Sequence, residues 1–275
     1  MIELTEALVL SRQINQSCLN KKIIKVIVNQ NPHKWAWFNG DPLSYESMLL
    51  GRSFKYAKSY GGMLEVDCED CHLVFTEGIQ LSYLTSIQDL KHQLLLEFSD
   101  HSYFVVSVRM YGGIWCYTDV FDNPYYFIAK KKPSVFSDSF NLDYFIKLVN
   151  ENSEGLSLKA FLATELRIPG FGNGLCQDVL WKAHLHPKTK LRHLTSAQIE
   201  HLFNTLKNMT DEIVKLGGRD TERDLFGEKG RYITSMSQSG MKEGCPECGT
   251  SIIKENYLGG SIYYCPKCQT RIEAK

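Results

Sequence analysis

Residues 169–187 read Pro169-Gly-Phe-Gly-Asn-Gly-Leu-Cys-Gln-Asp-Val-Leu-Trp-Lys-Ala-His-Leu-His-Pro187. The opening Gly170-Phe-Gly-Asn173 is turn chemistry, because glycine reaches backbone conformations closed to other residues. Leu175, Val179 and Leu180 follow at helical spacing, and Pro187 marks the stop. Upstream, Phe145, Leu148 and Val149 suggest one helix, and Leu158, Phe161 and Leu162 another. Downstream, Thr195 and Gln198 have the spacing of a capping box. They open a long helix through Ile199, Leu202, Leu206, Ile213 and Leu216, which Gly217-Gly218 closes as a left-handed cap. From Leu142 to Gly218 the chain is therefore read as helical.

Beyond the helices, Cys245-Pro-Glu-Cys248 and Cys265-Pro-Lys-Cys268 are two CxxC pairs separated by sixteen residues. Four thiolates at this spacing suit one tetrahedral Zn2+, and a set with no open position points to a structural rather than a catalytic ion. Ser251–Ile253 and Ile262–Tyr264 around Gly259-Gly260 read as a β-hairpin between the pairs. Cys68-Glu-Asp-Cys71 has no partner pair and is read as a hairpin turn. Cys18, Cys116 and Cys176 are read as small buried hydrophobes.

The first 130 or so residues have a different pattern. After a helical opening from Leu4 to Leu19 come short β-rich stretches: Lys22–Val28, Met63–Val66, His72–Phe75, His92–Phe98, Tyr103–Val108 and Ile114–Tyr117. Turn residues separate them, and an antiparallel sandwich is expected. Lys130–Ser139, with Pro133 and three serines, reads as a linker. The fold class is thus α+β, divided as a β-sandwich at 1–131, a helical domain at 132–235 and a zinc ribbon at 236–275.

Composition narrows the function classes. The chain has 275 residues, 43% hydrophobic and 23% charged, which suits a soluble globular protein. No apolar run approaches a membrane span and no secretory leader is recognisable, so a cytoplasmic location is expected. Nine cysteines are an odd number for a disulfide framework and fit metal binding in a reducing compartment. Net charge is zero, but residues 155–275 hold 17 Lys/Arg against 13 Asp/Glu, which points mildly to an anionic partner for that half. Nothing in the sequence calls for an oligomer, and a monomer is expected.

Taken together, three features resemble the formamidopyrimidine-DNA glycosylase and endonuclease VIII family. Met1-Ile-Glu-Leu-Thr-Glu6 is similar to that family's Met-Pro-Glu-Leu-Pro-Glu opening. Pro169–Pro187 resembles its helix–two-turn–helix with a Gly-x-Gly-Asn turn, and the Cys-x-x-Cys pairs resemble its terminal ribbon. The resemblance implies a base-excision repair enzyme that acts on duplex DNA carrying a damaged base or an abasic site, after rotating the nucleotide out of the stack. In the family a proline amine attacks the sugar, and the neighbouring Glu moves protons before the strand is cut.

Carried over residue by residue, Glu3 stands at the catalytic Glu position, and Glu6 matches the second acidic residue. Gly172 and Asn173 match the phosphate-binding turn. Arg109 and Tyr111 resemble the segment that fills the gap left by the rotated base. Arg219, Thr221 and Arg223 lie in the loop that the family places near that base, where a solvated loop is the plain alternative.

Three positions depart from the family pattern. Ile2 replaces the proline, and so bulky a second residue should leave Met1 in place, moving the free amine one residue early. The family's basic residue after the first hairpin falls at Gly61-Gly62, with Lys58 close but out of register. The ribbon's arginine aligns with Gly260, for which Lys254 or Lys267 are candidate substitutes. Glycosylase chemistry is expected with strand cleavage in doubt, driven either by water activated at Glu3 or by the Met1 amine. Two other readings stand beside it: a binder of damaged or abasic DNA without turnover, and an RNA- or ribosome-associated ribbon protein.

Overall fold

The computed structural model describes residues 2–87, 90–119, 121–152 and 155–272. The β-branched and aromatic stretches form two packed sheets. Helix α1 (Leu4–Ser17) precedes β1 (Ile23–Val28), β2 (Ala36–Phe38), helix α2 (Tyr45–Leu49), β3 (Tyr56–Tyr60), β4 (Met63–Asp67) and β5 (His72–Phe75). Strands β6 (Ile79–Leu84), β7 (Leu94–Phe98), β8 (Tyr103–Val108) and β9 (Gly112–Tyr117) follow. One sheet has the order β1-β7-β8-β6 and the other β2-β9-β5-β4-β3. Their inner faces meet in a core in which Phe54 packs edge-on against Phe98 and Phe104, at 5.1 and 5.4 Å between ring centroids.

The expected antiparallel sandwich holds for every pair but one: β2 runs parallel to β9, with Ala36 opposite Gly112. No short turn joins these strands, so nothing forces them to run oppositely. The pattern of alternation also failed to reveal β2, β3 and β6. Cys68 and Cys71 close the β4–β5 turn as read, with the Cys68 N–H donating to the Cys71 carbonyl at 2.7 Å.

Part of the expected linker is helical. Asn123-Pro124 is a start signal, and the Asn123 side chain accepts the Tyr126 N–H at the head of helix α3 (Pro124–Lys131). This helix covers the outer face of the larger sheet, where Val74, Tyr117, Phe121 and Tyr126 form a small cluster of their own.

The helical half follows its apolar spacing. It comprises α4 (Leu142–Glu151), α5 (Leu158–Ala163), α6 (Asn173–Lys182), α7 (Ser196–Lys215) and the short α8 (Gly240–Glu243). The Thr195–Gln198 capping box is formed. At the other end of α7, Gly217 adopts φ +77°, and the Gly218 N–H reaches the Ile213 carbonyl at 2.9 Å. α6 starts at Asn173 and ends at Lys182, so the chain reaches Pro187 already out of the helix.

β10 (Ile253–Tyr257) and β11 (Gly260–Tyr264) make the terminal hairpin. It turns at Leu258 and Gly259, both at positive φ, as a two-residue hairpin loop of the twist-matching kind requires. Trp181 at the end of α6 packs with Met236, Cys245, Ile252 and Cys265, which ties the hairpin region to the helices.

Helix α1 serves both halves. Ala7, Leu10 and Ile14 belong to the core of the sheets, whereas Leu4 belongs to the core of the helices. Among the described residues no helix is long and apolar enough to cross a membrane.

Candidate functional site

The chain's first turn meets the Gly170–Leu175 turn at the seam between the two halves. Glu3 is buried, yet its carboxylate is satisfied: Oε1 accepts the Gly174 N–H and Oε2 the Leu175 N–H, each at 2.9 Å. These are first-turn amides of α6, where the helix presents unpaired N–H groups and positive potential. Arg219 completes the arrangement. Its Nη1 lies 3.3 Å from Glu3 Oε1, while Nε and Nη2 hold Glu6 in a fork at 2.9 and 2.8 Å. Burial works to raise the Glu6 pKa, but the charge and hydrogen bonds of Arg219 outweigh it and hold the carboxyl below its ordinary value.

The alternating glycines now have a physical reading. A Cβ on Gly172 would lie 2.6 Å from the Glu3 carboxyl carbon, and one on Gly174 would lie 1.7 Å from Arg219 Nη1. A Cβ on Gly170 would lie 2.0 Å from the Gly62 nitrogen. Each glycine of Gly-Phe-Gly-Asn-Gly thus admits a different partner: the β3–β4 turn, Glu3 and Arg219. This close approach also explains one departure from the family pattern, since Gly61-Gly62 is where that turn nests against Pro169-Gly170.

Gly260 faces side chains of the helical half. A Cβ there would lie 2.9 Å from Asn173 Nδ2 and 3.6 Å from Lys159 Nζ. Asn173 is half-buried at the start of α6, beside the hairpin tip, and the pairing of its turn with the ribbon follows from β11 packing along α6. Lys159 is the cation nearest that glycine; sequence reasoning passed over it, and the one signal was a lysine inside the apolar run Leu158–Ala163. It is buried, its Nζ donates to the Tyr257 carbonyl at 2.5 Å, and burial lowers its pKa. Lys254 instead donates to Gln238 at 3.1 Å, and Lys267 is exposed within the second CxxC loop.

The remaining candidates divide. Arg109 is exposed, with its Nε donating to Gln80 at 2.6 Å. Tyr111 is half-buried, its ring 5.9 Å from that of Trp37. Arg109, Thr221 and Arg223 line a cavity of about 330 Å³ together with Ile2, Glu6 and Gln80. Arg219, from the same loop, turns inward to the carboxylates. Lys58 is exposed on β3, 5.3 Å from the Tyr60 ring. Met1 lies outside the described residues.

Asp178, which no motif flagged, fastens the segment beyond that loop to α6. It accepts the Tyr232 hydroxyl and the N–H groups of Ser235 and Met236, at 3.1, 3.0 and 2.6 Å. Complete burial outweighs these bonds and pushes its carboxyl up to about 6. In the ribbon, the four cysteine Sγ atoms lie within 4.8 Å of one another, with Cys245–Cys268 at 3.8 Å and Cys248–Cys265 at 3.4 Å. A tetrahedral ion with metal–sulfur bonds of about 2.3 Å requires sulfur–sulfur separations of roughly 3.8 Å. The cluster therefore fits one metal ion.

No protein-family model matches the chain, but full-length relatives do. It is 27% identical to a formamidopyrimidine-DNA glycosylase of Lactobacillus delbrueckii over 252 residues, covering 87% of this chain and 91% of that one. It is also 27% identical to that of Haemophilus influenzae, covering 98% and 100% of the two chains. These relatives, matched along nearly the whole chain, support the formamidopyrimidine-DNA glycosylase and endonuclease VIII family. The fold agrees: the MutM (Fpg) protein from Thermus thermophilus superposes with a TM-score of 0.81 at 21% identity, covering 98% of this chain and all of that one. Lactococcus lactis Fpg, in complex with abasic-site DNA, gives 0.83 at 21% identity over the same shares.

Asp178 generates a pH prediction. Its folded pKa lies above the usual carboxylate value, so the stability it contributes is present at low pH and lost as pH rises through about 6. In urea unfolding from pH 4 to pH 7, the difference between wild type and Asp178→Asn is expected to move in the variant's favour by up to ~3 kcal/mol. A difference that stays constant with pH contradicts the assignment.

Proposed function

We propose that this protein is a DNA-repair glycosylase that removes a damaged base from duplex DNA in the cytoplasm. The observation that carries this reading is the convergence of Glu3, the Gly172-Asn173 turn and the tip of the cysteine hairpin at one seam between sheets and helices. Duplex DNA would lie along that seam. The Asn173 turn and the hairpin would hold phosphates, with Lys58 as a further phosphate contact. Arg109 and Tyr111 would fill the space left by the rotated base. Arg223 lines the cavity beside Ile2 and would face that base, and Arg219 would act through the carboxylates it holds. The division at 1–131, 132–235 and 236–275 is our reading of the domains, with the DNA between the first and the other two.

Glu3 is the acid/base candidate. Two backbone N–H groups and Arg219 fix its carboxylate without exhausting the lone pairs on its oxygens, so it can still accept a proton from a water at the sugar. Ile2 offers no secondary amine, so base release would proceed by hydrolysis, with Glu3 activating the water, or through the Met1 amine. One observation favours a second reading, recognition without turnover: every oxygen of Glu3 already has a partner. Zinc is the metal we assign to the four cysteines, since thiolates alone in a closed tetrahedral set suit that ion and leave no position for substrate.

On a panel of damaged-base duplexes, Glu3→Gln is expected to lower base release by at least about 100-fold while abasic-duplex affinity is retained. Full activity in Glu3→Gln would overturn the role of Glu3. Borohydride added to wild-type protein on an abasic duplex separates the chemistries. A covalent adduct identifies an amine nucleophile, whereas base release without an adduct identifies hydrolysis. Absence of both, with binding intact, establishes the second reading.

Removing the metal with a chelator should weaken abasic-duplex binding more than it disturbs the β-sheet circular dichroism. Equal loss of both would contradict a ribbon with its own role in binding.

A further inference from the structure

Three cysteines outside the ribbon come together under one surface turn. Cys68 and Cys71 flank Glu69 and Asp70 at the β4–β5 turn, and Cys116 stands on the neighbouring β9. All three thiols are buried in the core of the sheets, while Glu69 and Asp70 are exposed. Leu73 is the register partner of Cys116, which makes Cys71 a diagonal neighbour of Cys116 on the same face of the sheet. The Sγ atoms of Cys71 and Cys116 lie 3.2 Å apart. Forming a bond of about 2.05 Å between them takes a movement of roughly 1 Å. Cys116 is the fixed member of the pair, because the buried Tyr45 hydroxyl accepts its N–H at 3.1 Å and donates to the Ile114 carbonyl at 2.9 Å. Cys68 is turned elsewhere, with its Sγ 3.9 Å from the Val66 carbonyl.

The thiols differ in chemistry as well as in position. The hydrogen bond from the Cys116 thiol, helped by the charge of Arg52, outweighs burial and holds Cys71 below the ordinary thiol value, which favours its thiolate. Arg52 is kept beside the turn by Asp70, whose Oδ2 accepts the Nη2 hydrogen at 2.9 Å. Cys116, the donor of the shared hydrogen bond, is raised, and burial raises Cys68. Burial also pushes Cys18 and Cys176 up to about 12, which keeps both as unreactive thiols. Cys71 is thus the nucleophile, and Cys116 is the sulfur within its reach. Local opening of the Glu69-Asp70 loop suffices to admit a reagent little larger than water.

We propose that Cys71 and Cys116 are a redox couple, which a peroxide converts to a disulfide joining β5 to β9. The Cys71 thiolate attacks one peroxide oxygen, the O–O bond breaks, hydroxide leaves, and the sulfur becomes a sulfenic acid. The Cys116 sulfur then attacks that of Cys71. The S–S bond forms as the S–O bond breaks, and the departing hydroxide takes the thiol proton as water. In sum, two thiols and one hydrogen peroxide give one disulfide and two waters, each sulfur losing one electron and each peroxide oxygen gaining one. In a reducing compartment such a bond is transient, since thiol exchange reverses it. The pair stands at the ends of β5 and β9 away from Glu77 and Tyr111, so the crosslink staples the larger sheet without entering the seam.

The test treats zinc-loaded, full-length protein with hydrogen peroxide, alkylates the remaining thiols with N-ethylmaleimide in denaturant, and maps the peptides by mass spectrometry without reduction. Cleavage after Lys, Arg and Glu separates Cys68 from Cys71 at Glu69. A peptide pair joined through Cys71 and Cys116 is expected while the zinc, followed with a chelating dye, is still bound, and dithiothreitol should separate the pair. Cys71 should be consumed at least about tenfold faster than Cys18 and Cys176. In Cys116→Ala the crosslink should be absent and dimedone should capture a Cys71 sulfenic acid. If that variant fails to fold, the wild-type map decides alone. A Cys68–Cys71 bond in its place, or zinc release with Cys71 still open to N-ethylmaleimide, overturns the couple.

Discussion

The structure depends on a buried ionic knot: Arg219 between Glu3 and Glu6, with the first amides of α6 closing on Glu3. Buried charges are costly unless each is paired and hydrogen-bonded, and here each one is. Glu3 caps α1 and Glu6 stands on its first turn, the arginine follows α7, and the amides begin α6. One set of contacts therefore fixes the helix that carries residues of both cores against two helices of the second core. Glycines 172 and 174 are its precondition, because a Cβ at either position would occupy the space of Glu3 or Arg219.

The same closeness changes how the seam meets a polyanion. Gly61-Gly62 and Gly260 stand where the family resemblance led us to expect basic residues; a Cβ on Gly61 would lie 2.5 Å from the Pro169 carbonyl carbon, and one on Gly260 would lie 2.9 Å from the Asn173 side-chain amide. Cationic side chains are instead displaced, to Lys159 behind the hairpin and to the lysines along β3 and α3. With a net charge of zero, the protein has little general attraction for a polyanion, so under the proposed function its contacts with DNA would be local. Aromatic surface beside the seam suits such local contacts, since stacking on bases does not depend on net charge.

Much of this was legible in the sequence, for identifiable reasons. The capping box at Thr195, the left-handed cap at Gly217 and the cysteine pairs are local patterns whose geometry depends on few other residues. Glu3 and the Gly172-Asn173 turn were legible through motif resemblance. Strand β2 was not, because three residues at a sheet edge carry no alternation. Helix α3 was obscured by Pro133 and the serines that follow it, although Asn123-Pro124 marked its start. The role of Arg219 could not be read at all: a loop arginine flanked by Gly218 and Asp220 looks solvated until Glu6, 213 positions away, is brought to it. Asp178 was hidden in the same way, inside an apolar helix face.

The claim that the knot organises the molecule is tested most directly by a double-mutant cycle on Glu6 and Arg219, measured by urea unfolding at pH 7. Arg219→Met alone leaves two buried carboxylates without their cation and is expected to cost about 3–5 kcal/mol. With Glu6→Gln added, a substantial part of that loss should be recovered, giving a coupling energy of roughly 2 kcal/mol or more. Additivity within about 0.5 kcal/mol would contradict the account, because the two residues would then be contributing to stability independently.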